Sequence, residues 1–232
     1  MMFIEKGKRQ FAVLIDPDKL KIQDVAVFIK STSKYVDFYL LGGSLLLMNN
    51  IDELILEIKK HTKKKIVLFP GNSMQITAKA DGMLLLSLVS GRNPDFLIGQ
   101  HVHAAPLLKQ AKLPIIPTAY ILIDSGKATT VAYISNTQPI PSDKPELAAC
   151  TALAGEQLGM QCVYLEAGSG AQNPVSAEMI KTVRKWVHVP LIVGGGIRSM
   201  KEAEVAYKAG ADVVVVGTSL EINLDFFNPK PE

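Results

Sequence analysis

Pro190-Leu191-Ile192-Val193-Gly194-Gly195-Gly196-Ile197-Arg198-Ser199-Met200-Lys201-Glu202 sets the frame for the whole chain. A short, largely β-branched run ends in three glycines, and Ser199 with Glu202 three residues on opens a helix as a capping box. The run Asp212-Val213-Val214-Val215-Val216-Gly217-Thr218-Ser219 repeats the pattern of apolar strand, glycine and hydroxyl-bearing helix start. Strands this apolar are covered on both faces, which is the condition of parallel strands joined by helices. Glycine lets backbone N–H groups approach an anion closely, and a helix start adds a favourable partial charge. Two such loops, about 20 residues apart on neighbouring strands, can grip one phosphate between them.

The same grammar runs outward through the rest of the sequence. Strand-like runs fall at Phe11–Ile15, Tyr35–Leu41, Lys65–Phe69, Gly82–Leu88, Leu113–Ile123, Gln161–Glu166, Pro190–Gly194 and Asp212–Gly217. Helical periodicity lies between them, as in Asp52–His61, Glu146–Leu158, Val175–Trp186 and Met200–Ala209. Eight strands in 232 residues fit an α/β fold closed as a (β/α)8 TIM-type barrel better than an open doubly wound sheet. Internal similarity agrees, because Val36-Asp37-Phe38-Tyr39-Leu40-Leu41-Gly42-Gly43-Ser44 resembles Ala211-Asp212-Val213-Val214-Val215-Val216-Gly217-Thr218-Ser219, and Lys79-Ala80-Asp81-Gly82 echoes it. The stretch between Phe69 and Gly82 is too short for a full helix plus two loops, so the third helix is expected to be missing or reduced. Asp124 to Lys144, with Pro139-Ile140-Pro141, is expected to be an irregular loop of the lid or substrate-lining kind. One phosphate-binding barrel domain is expected to span residues 1–232.

Composition excludes several function classes. Lys and Arg number 25 against 22 Asp and Glu, so the net charge of +3 leaves no basic nucleic-acid footprint. A 48% hydrophobic content argues against disorder. The longest uncharged stretches, Phe38 to Ile51 and Ala128 to Ser142, are broken by glycine, asparagine or other polar residues, so no integral membrane segment is expected. No secretory signal is visible before Asp16. Cys150 and Cys162 fit neither a disulfide framework nor a CxxC pair, and a reducing cytoplasm is the expected location.

Barrel chemistry sits at the C-terminal ends of strands. Period-two alternation in Cys162-Val163-Tyr164-Leu165-Glu166 aims Tyr164 and Glu166 into the barrel, with Glu166 at the mouth as a natural general base for an alcohol. The bland alternative is a carboxylate paired with a nearby cation. Ala12, Leu14 and Asp16 share a face, so Asp16 also reaches the mouth as a candidate Mg²⁺ ligand, since Mg²⁺ takes one or two carboxylates plus substrate phosphates. Ser44, on the adjacent strand, could add a hydroxyl, while Asp18 reads as a helix cap. His101, His103, His61 and Trp186 read as structural. Asp124, closing the fifth strand run, has an open role.

Leu14-Ile15-Asp16-Pro17-Asp18-Lys19, Gly42-Gly43-Ser44, Tyr164-Leu165-Glu166-Ala167-Gly168-Ser169-Gly170, Val193-Gly194-Gly195-Gly196-Ile197 and Gly217-Thr218 together carry a resemblance. They look like the geranylgeranylglyceryl phosphate synthase family, whose bacterial relatives include heptaprenylglyceryl phosphate synthases. The resemblance covers nearly the whole chain in order, and the Tyr164–Gly170 stretch is its most specific element. The short third unit also fits, because that family's barrel lacks the helix. The resemblance implies a Mg²⁺-dependent prenyltransferase that joins an allylic prenyl diphosphate, such as geranylgeranyl diphosphate, to sn-glycerol 1-phosphate, forming an ether and releasing diphosphate. It implies Glu166 as the base, and Tyr164, Ala167, Gly168, Ser169, Gly170, Gly195, Gly196, Gly217 and Thr218 as the glycerol phosphate site. It implies Asp16, with Ser44, on the magnesium and diphosphate side. Leu14 stands where some members carry a Lys, which places the chain in the family's second sequence group and leaves Lys19 as a candidate cation by proximity. A homo-oligomer, dimer or hexamer, is implied as well. The apolar runs Leu113–Leu122 and Ile134–Pro141 are expected to house the prenyl tail.

Two rival readings share the glycine loops. A sugar-phosphate isomerase or lyase would want the strand-one Asp16 and the strand-five Asp124 as an acid/base pair. A non-catalytic phosphate-binding module would bind phosphate without turnover.

Overall fold

The computed structural model describes residues 4–47, 50–72, 75–222 and 224–227. Eight strands, β1 (Gln10–Ile15), β2 (Phe38–Leu41), β3 (Lys65–Leu68), β4 (Gly82–Leu88), β5 (Ile115–Leu122), β6 (Cys162–Glu166), β7 (Leu191–Gly194) and β8 (Val213–Val216), close into a barrel in sequence order. Each pairs in parallel with its neighbour, and β8 returns to β1 through Gln10–Val213 to Val13–Val216. The barrel expected from the strand pattern is therefore present.

Alternation along each strand builds two apolar layers. Ala12, Leu40, Val67, Leu84, Cys162, Tyr164, Ile192 and Val215 fill the barrel interior. Phe11, Val13, Ile15, Val163, Leu165, Val193 and Val214 face outward against the helices. The helices are α1 (Val25–Thr32), α2 (Ile51–His61), α3 (Gln100–Ala111), α4 (Thr130–Ser135), α5 (Pro145–Gln157), α6 (Ala177–Trp186), α7 (Met200–Ala209) and α8 (Thr218–Ile222). No helix among the described residues is long and apolar enough to cross a membrane.

The internal similarity has a physical basis at the N-terminal end of the barrel. Asp37, Asp81 and Asp212 stand just before β2, β4 and β8, and each carboxylate accepts a backbone N–H from the preceding strand. The donors are Phe11, Ile66 and Leu191, each at 2.8 Å. Asp212 is also held by the Arg184 guanidinium at 2.9 Å. At three of the eight strand entrances an acidic residue thus ties neighbouring strands where the regular ladder begins.

One sequence expectation changes, and one helix escapes the periodicity. The stretch from Asp124 to Lys144 is not wholly irregular, because Thr129 caps α4 by accepting from the Ala132 N–H. α3 also forms around an internal proline, Pro106, after a wide π-type turn at Asp95–Gly99, so its amphipathic signature is weak. Between β3 and β4, Ser73 and Met74 lie outside the described residues, and none of the described residues there is helical.

Candidate active site

β6 ends at Glu166, whose backbone is paired with Gly194 of β7 on one side and Leu122 of β5 on the other. The side chain points up the barrel axis and is only 5% exposed. One carboxylate oxygen accepts the Gly168 N–H at 2.6 Å, a contact that the positive φ of Gly168 (+96°) makes possible. No ion pair among the described residues involves Glu166, so the paired-cation alternative does not describe it. Burial pushes its pKa up to about 7, partly opposed by the Gly168 N–H and by the Tyr164 and Tyr120 hydroxyls. A carboxyl poised there can take or hold a proton near neutral pH.

Tyr164 is fully buried, and its hydroxyl lies beside the Glu166 carboxylate, with no closer hydrogen-bond partner among the described residues. Burial and the neighbouring Glu166 hold that phenol protonated, which leaves it as a donor. The glycines of β7's loop answer to these side chains. A Cβ at Gly194 would sit 2.2 Å from the Tyr164 hydroxyl, and one at Gly195 would sit 2.5 Å from a Glu166 carboxylate oxygen and 2.6 Å from Gly168 N. Gly195 (φ +84°) and Gly196 (φ +72°) both need the left-handed region.

Cross-loop bonds knit the mouth together. Ser219 Oγ donates to the Ile197 carbonyl at 2.8 Å, and the Ser169 and Thr218 hydroxyls meet at 3.1 Å. Arg198 donates to the Ala171 and Gln172 carbonyls at 2.7 and 3.1 Å. Ser199 caps α7 through the Glu202 N–H, and the Glu202 carboxylate returns to the Arg198 N–H. That return lands one residue before the cap, a variant of the expected capping box.

These loops enclose a cavity of about 670 Å³ at the C-terminal mouth. Tyr164, Glu166, Gly168, Ser169, Gly170, Gly195, Gly196, Gly217, Thr218, Asp16 and Ser44 all line it. Ala167 does not. It alternates outward into the layer beneath the helices and contributes its backbone N–H to Gly194. Asp18 departs from its expected role as a helix cap, because its carboxylate accepts the Leu47 N–H at 2.8 Å. Asp124 accepts the Gly126 N–H in an exposed turn and is not among the cavity-lining residues, so it forms no pair with Asp16. Asp16 itself accepts the Asp18 N–H and pairs with Lys19 Nζ at 3.3 Å.

A second, narrower cavity opens beside the first, between β4, the Asp95–Gly99 turn, α3 and α4. Phe69, Met83, Leu86, Phe96, Ala104 and Ile134 are among its lining residues. This apolar groove was not located by the hydrophobic runs. Of Leu113–Leu122 and Ile134–Pro141, only Tyr120 and Ile134 line it, while Ile116, Ala119, Ile121 and Leu122 are buried in the two core layers. Sequence reasoning also missed Tyr120 and Arg198. Alternation could have found Tyr120, which shares a face with Thr118 and Leu122 and lies opposite Tyr164 in register.

A sequence profile of the PcrB family matches residues 3–227. The chain belongs to the PcrB family. It is 56% identical over 220 residues to a geranylgeranylglyceryl phosphate synthase of Spirosoma linguale, covering 94% of this chain and 88% of that protein. Among solved structures it resembles (S)-3-O-geranylgeranylglyceryl phosphate synthase from Thermoplasma acidophilum in complex with substrate sn-glycerol-1-phosphate. There the TM-score is 0.90 at 34% identity, over 95% of this chain and 90% of that one. A mutant tryptophan synthase α-subunit from Pyrococcus furiosus shares the fold alone, with a TM-score of 0.60 at 14% identity over 92% and 88% of the two chains. For this PcrB-family barrel, the chemistry must therefore be argued from the mouth rather than from the scaffold.

Proposed function

We propose that this chain joins an allylic prenyl diphosphate, geranylgeranyl diphosphate, to sn-glycerol 1-phosphate, forming an ether and releasing diphosphate. The observation that carries the reading is Glu166: a buried carboxyl without a cation, raised to about 7, standing between glycine loops and an apolar groove. The loops at Gly195-Gly196 and Gly217-Thr218, with the Ser169 hydroxyl, offer an anion the backbone and hydroxyl donors a phosphate needs. Tyr164, which lines the same cavity, supplies its hydroxyl as a donor beside Glu166 to the glycerol phosphate. Gly168 and Gly170 keep the rest of that wall low enough for the glycerol phosphate to reach Glu166.

The prenyl tail lies in the apolar groove, where each buried methylene contributes about 0.8 kcal/mol. The diphosphate lies on the Asp16–Ser44 side, with Lys19, paired to Asp16 at 3.3 Å, as a cation in the same cavity wall. The glycerol oxygen forms the new bond to the allylic carbon. The carbon–oxygen bond to diphosphate breaks with its electron pair leaving on diphosphate, and Glu166 takes the hydroxyl proton.

Magnesium fits this donor set. Among the described residues no three His, Cys, Asp or Glu side chains cluster as a metal cage. One carboxylate and one hydroxyl suit an ion that keeps waters and takes substrate phosphate oxygens. Asp16 and Ser44 would hold it, and when bound it neutralises charge developing on the leaving diphosphate. The proposal also includes a homo-oligomer, dimer or hexamer, in a reducing cytoplasm. The exposed Leu147 and Leu158 on and just after α5, and the free thiols of Cys150 and Cys162, support those two statements.

Mass spectrometry of reactions with Mg²⁺, each glycerol phosphate enantiomer and prenyl diphosphates of several lengths tests the reading. It predicts an ether product confined to sn-glycerol 1-phosphate. Folded protein that binds phosphate yet makes no product with any pair would overturn it.

A further inference from the structure

Among the described residues, the linings of the two cavities overlap in five: Gly43, Ser44, Phe69, Tyr120 and Val131. This inference rests on the prenyl-transfer reading. If glycerol phosphate occupies the polar mouth and the prenyl tail the apolar groove, the allylic carbon that is attacked must lie where the two meet. The aromatic side chains at that junction are Phe69, which follows β3, and Tyr120 of β5.

The two rings belong to a trio with Tyr164. Ring centroids lie 5.8 Å apart for Phe69 and Tyr120, 5.2 Å for Phe69 and Tyr164, and 5.5 Å for Tyr120 and Tyr164. Phe69 and Tyr120 are 8% and 6% exposed, so each is nearly buried, yet both line the two cavities. The rest of the barrel interior is mostly aliphatic, with Leu40, Val67, Leu84 and Ile192, and Phe38 at the start of β2 is a further ring there. Three rings thus cluster where the carbon–oxygen bond of the diphosphate would break, with Glu166 lining the polar cavity beside them.

We propose that the π faces of Phe69 and Tyr120 stabilise the positive charge that spreads over the allylic carbons as the bond to diphosphate lengthens. The electron pair of that bond departs with diphosphate, the glycerol oxygen then closes on the cationic carbon, and the proton goes to Glu166. An aromatic face attracts a cation through its quadrupole, and desolvated examples are worth about tenfold or more in rate. Phe69 is the cleaner probe, since Tyr120 also contacts Glu166 through its hydroxyl.

The test replaces Phe69 with phenylalanines carrying zero to four ring fluorines, which withdraw charge from the face while nearly preserving shape. The account expects kcat to fall stepwise, about tenfold across the series, with both KM values and the Tm unchanged. The substitution Phe69→Leu should lower kcat by a similar factor at unchanged KM. A flat fluorine series overturns the assignment, and so does a kcat loss matched by a rise in prenyl diphosphate KM. A parent enzyme that forms no ether product removes the prenyl-transfer reading instead, so the two failures are distinguishable.

Discussion

The loops after β6, β7 and β8 and the groove beside β3, β4 and β5 occupy the same end of one barrel, yet their sequences differ in kind. On the polar side each glycine answers to particular neighbours: Gly194 to the Tyr164 hydroxyl, Gly195 to Glu166 and Gly168, Gly196 to Asn173 and Pro174. Such positions admit almost no other residue, so they stand out in the chain. On the apolar side Met83 and Leu86 of β4 line a groove with Phe96, while Leu84 of the same strand fills the interior. A leucine that will meet a ligand carries no mark distinguishing it from a leucine that will meet the core. Backbone-limited chemistry is written in the sequence, and apolar recognition is written in the packing.

If the polar side works as argued, its dependence on pH should be steep. Glu166 must be charged to accept a proton, so kcat/KM for glycerol phosphate should fall about tenfold per pH unit well below 7, or about 50-fold from pH 7 to pH 5. Stability should move the other way. A folded-state pKa raised above the unfolded value leaves the fold's full stability present below about pH 4 and erodes it as pH rises through about 7. Glu166→Gln should abolish that erosion, which thermal melts of both proteins across pH 4 to 8 would read. Parallel melting curves at every pH would contradict the buried, unpaired carboxyl.

Gly195→Ala sharpens the comparison next. The added methyl meets a Glu166 oxygen and the Gly168 backbone at a residue that needs φ of +84°. Glycerol phosphate kcat/KM should drop about 100-fold while prenyl diphosphate affinity changes by less than about threefold, because the strain falls on one side only. Equal losses for both substrates in steady-state kinetics would break the division of the mouth into two halves.

The smallest effect belongs to the groove. Phe96→Ala removes a half-buried ring from its wall and should raise prenyl diphosphate KM by about tenfold, with glycerol phosphate KM unchanged. An unchanged prenyl KM would move the tail elsewhere.

Much of the fold was legible because its devices are local. Strand apolarity, the Asp before β2, β4 and β8, and the capped start of α7 all act within a few residues or across one strand. Period-two alternation aimed Tyr164, Glu166 and Asp16 correctly, and the same rule turns Ala167 outward, a consequence that a contiguous motif conceals. What stayed hidden depends on contacts distant in sequence. Asp18 finds Leu47, α4 forms where Thr129 supplies a cap, and Tyr120 gains its place only through register with Tyr164.

Glu166→Gln under saturating substrates is the most direct test. Gln keeps the oxygen that accepts the Gly168 N–H and removes the base. Calorimetric affinity for sn-glycerol 1-phosphate should stay within about threefold of the parent, while product formation falls at least about 100-fold. A variant that turns over within a few-fold of the parent would contradict the assignment of Glu166 as the base.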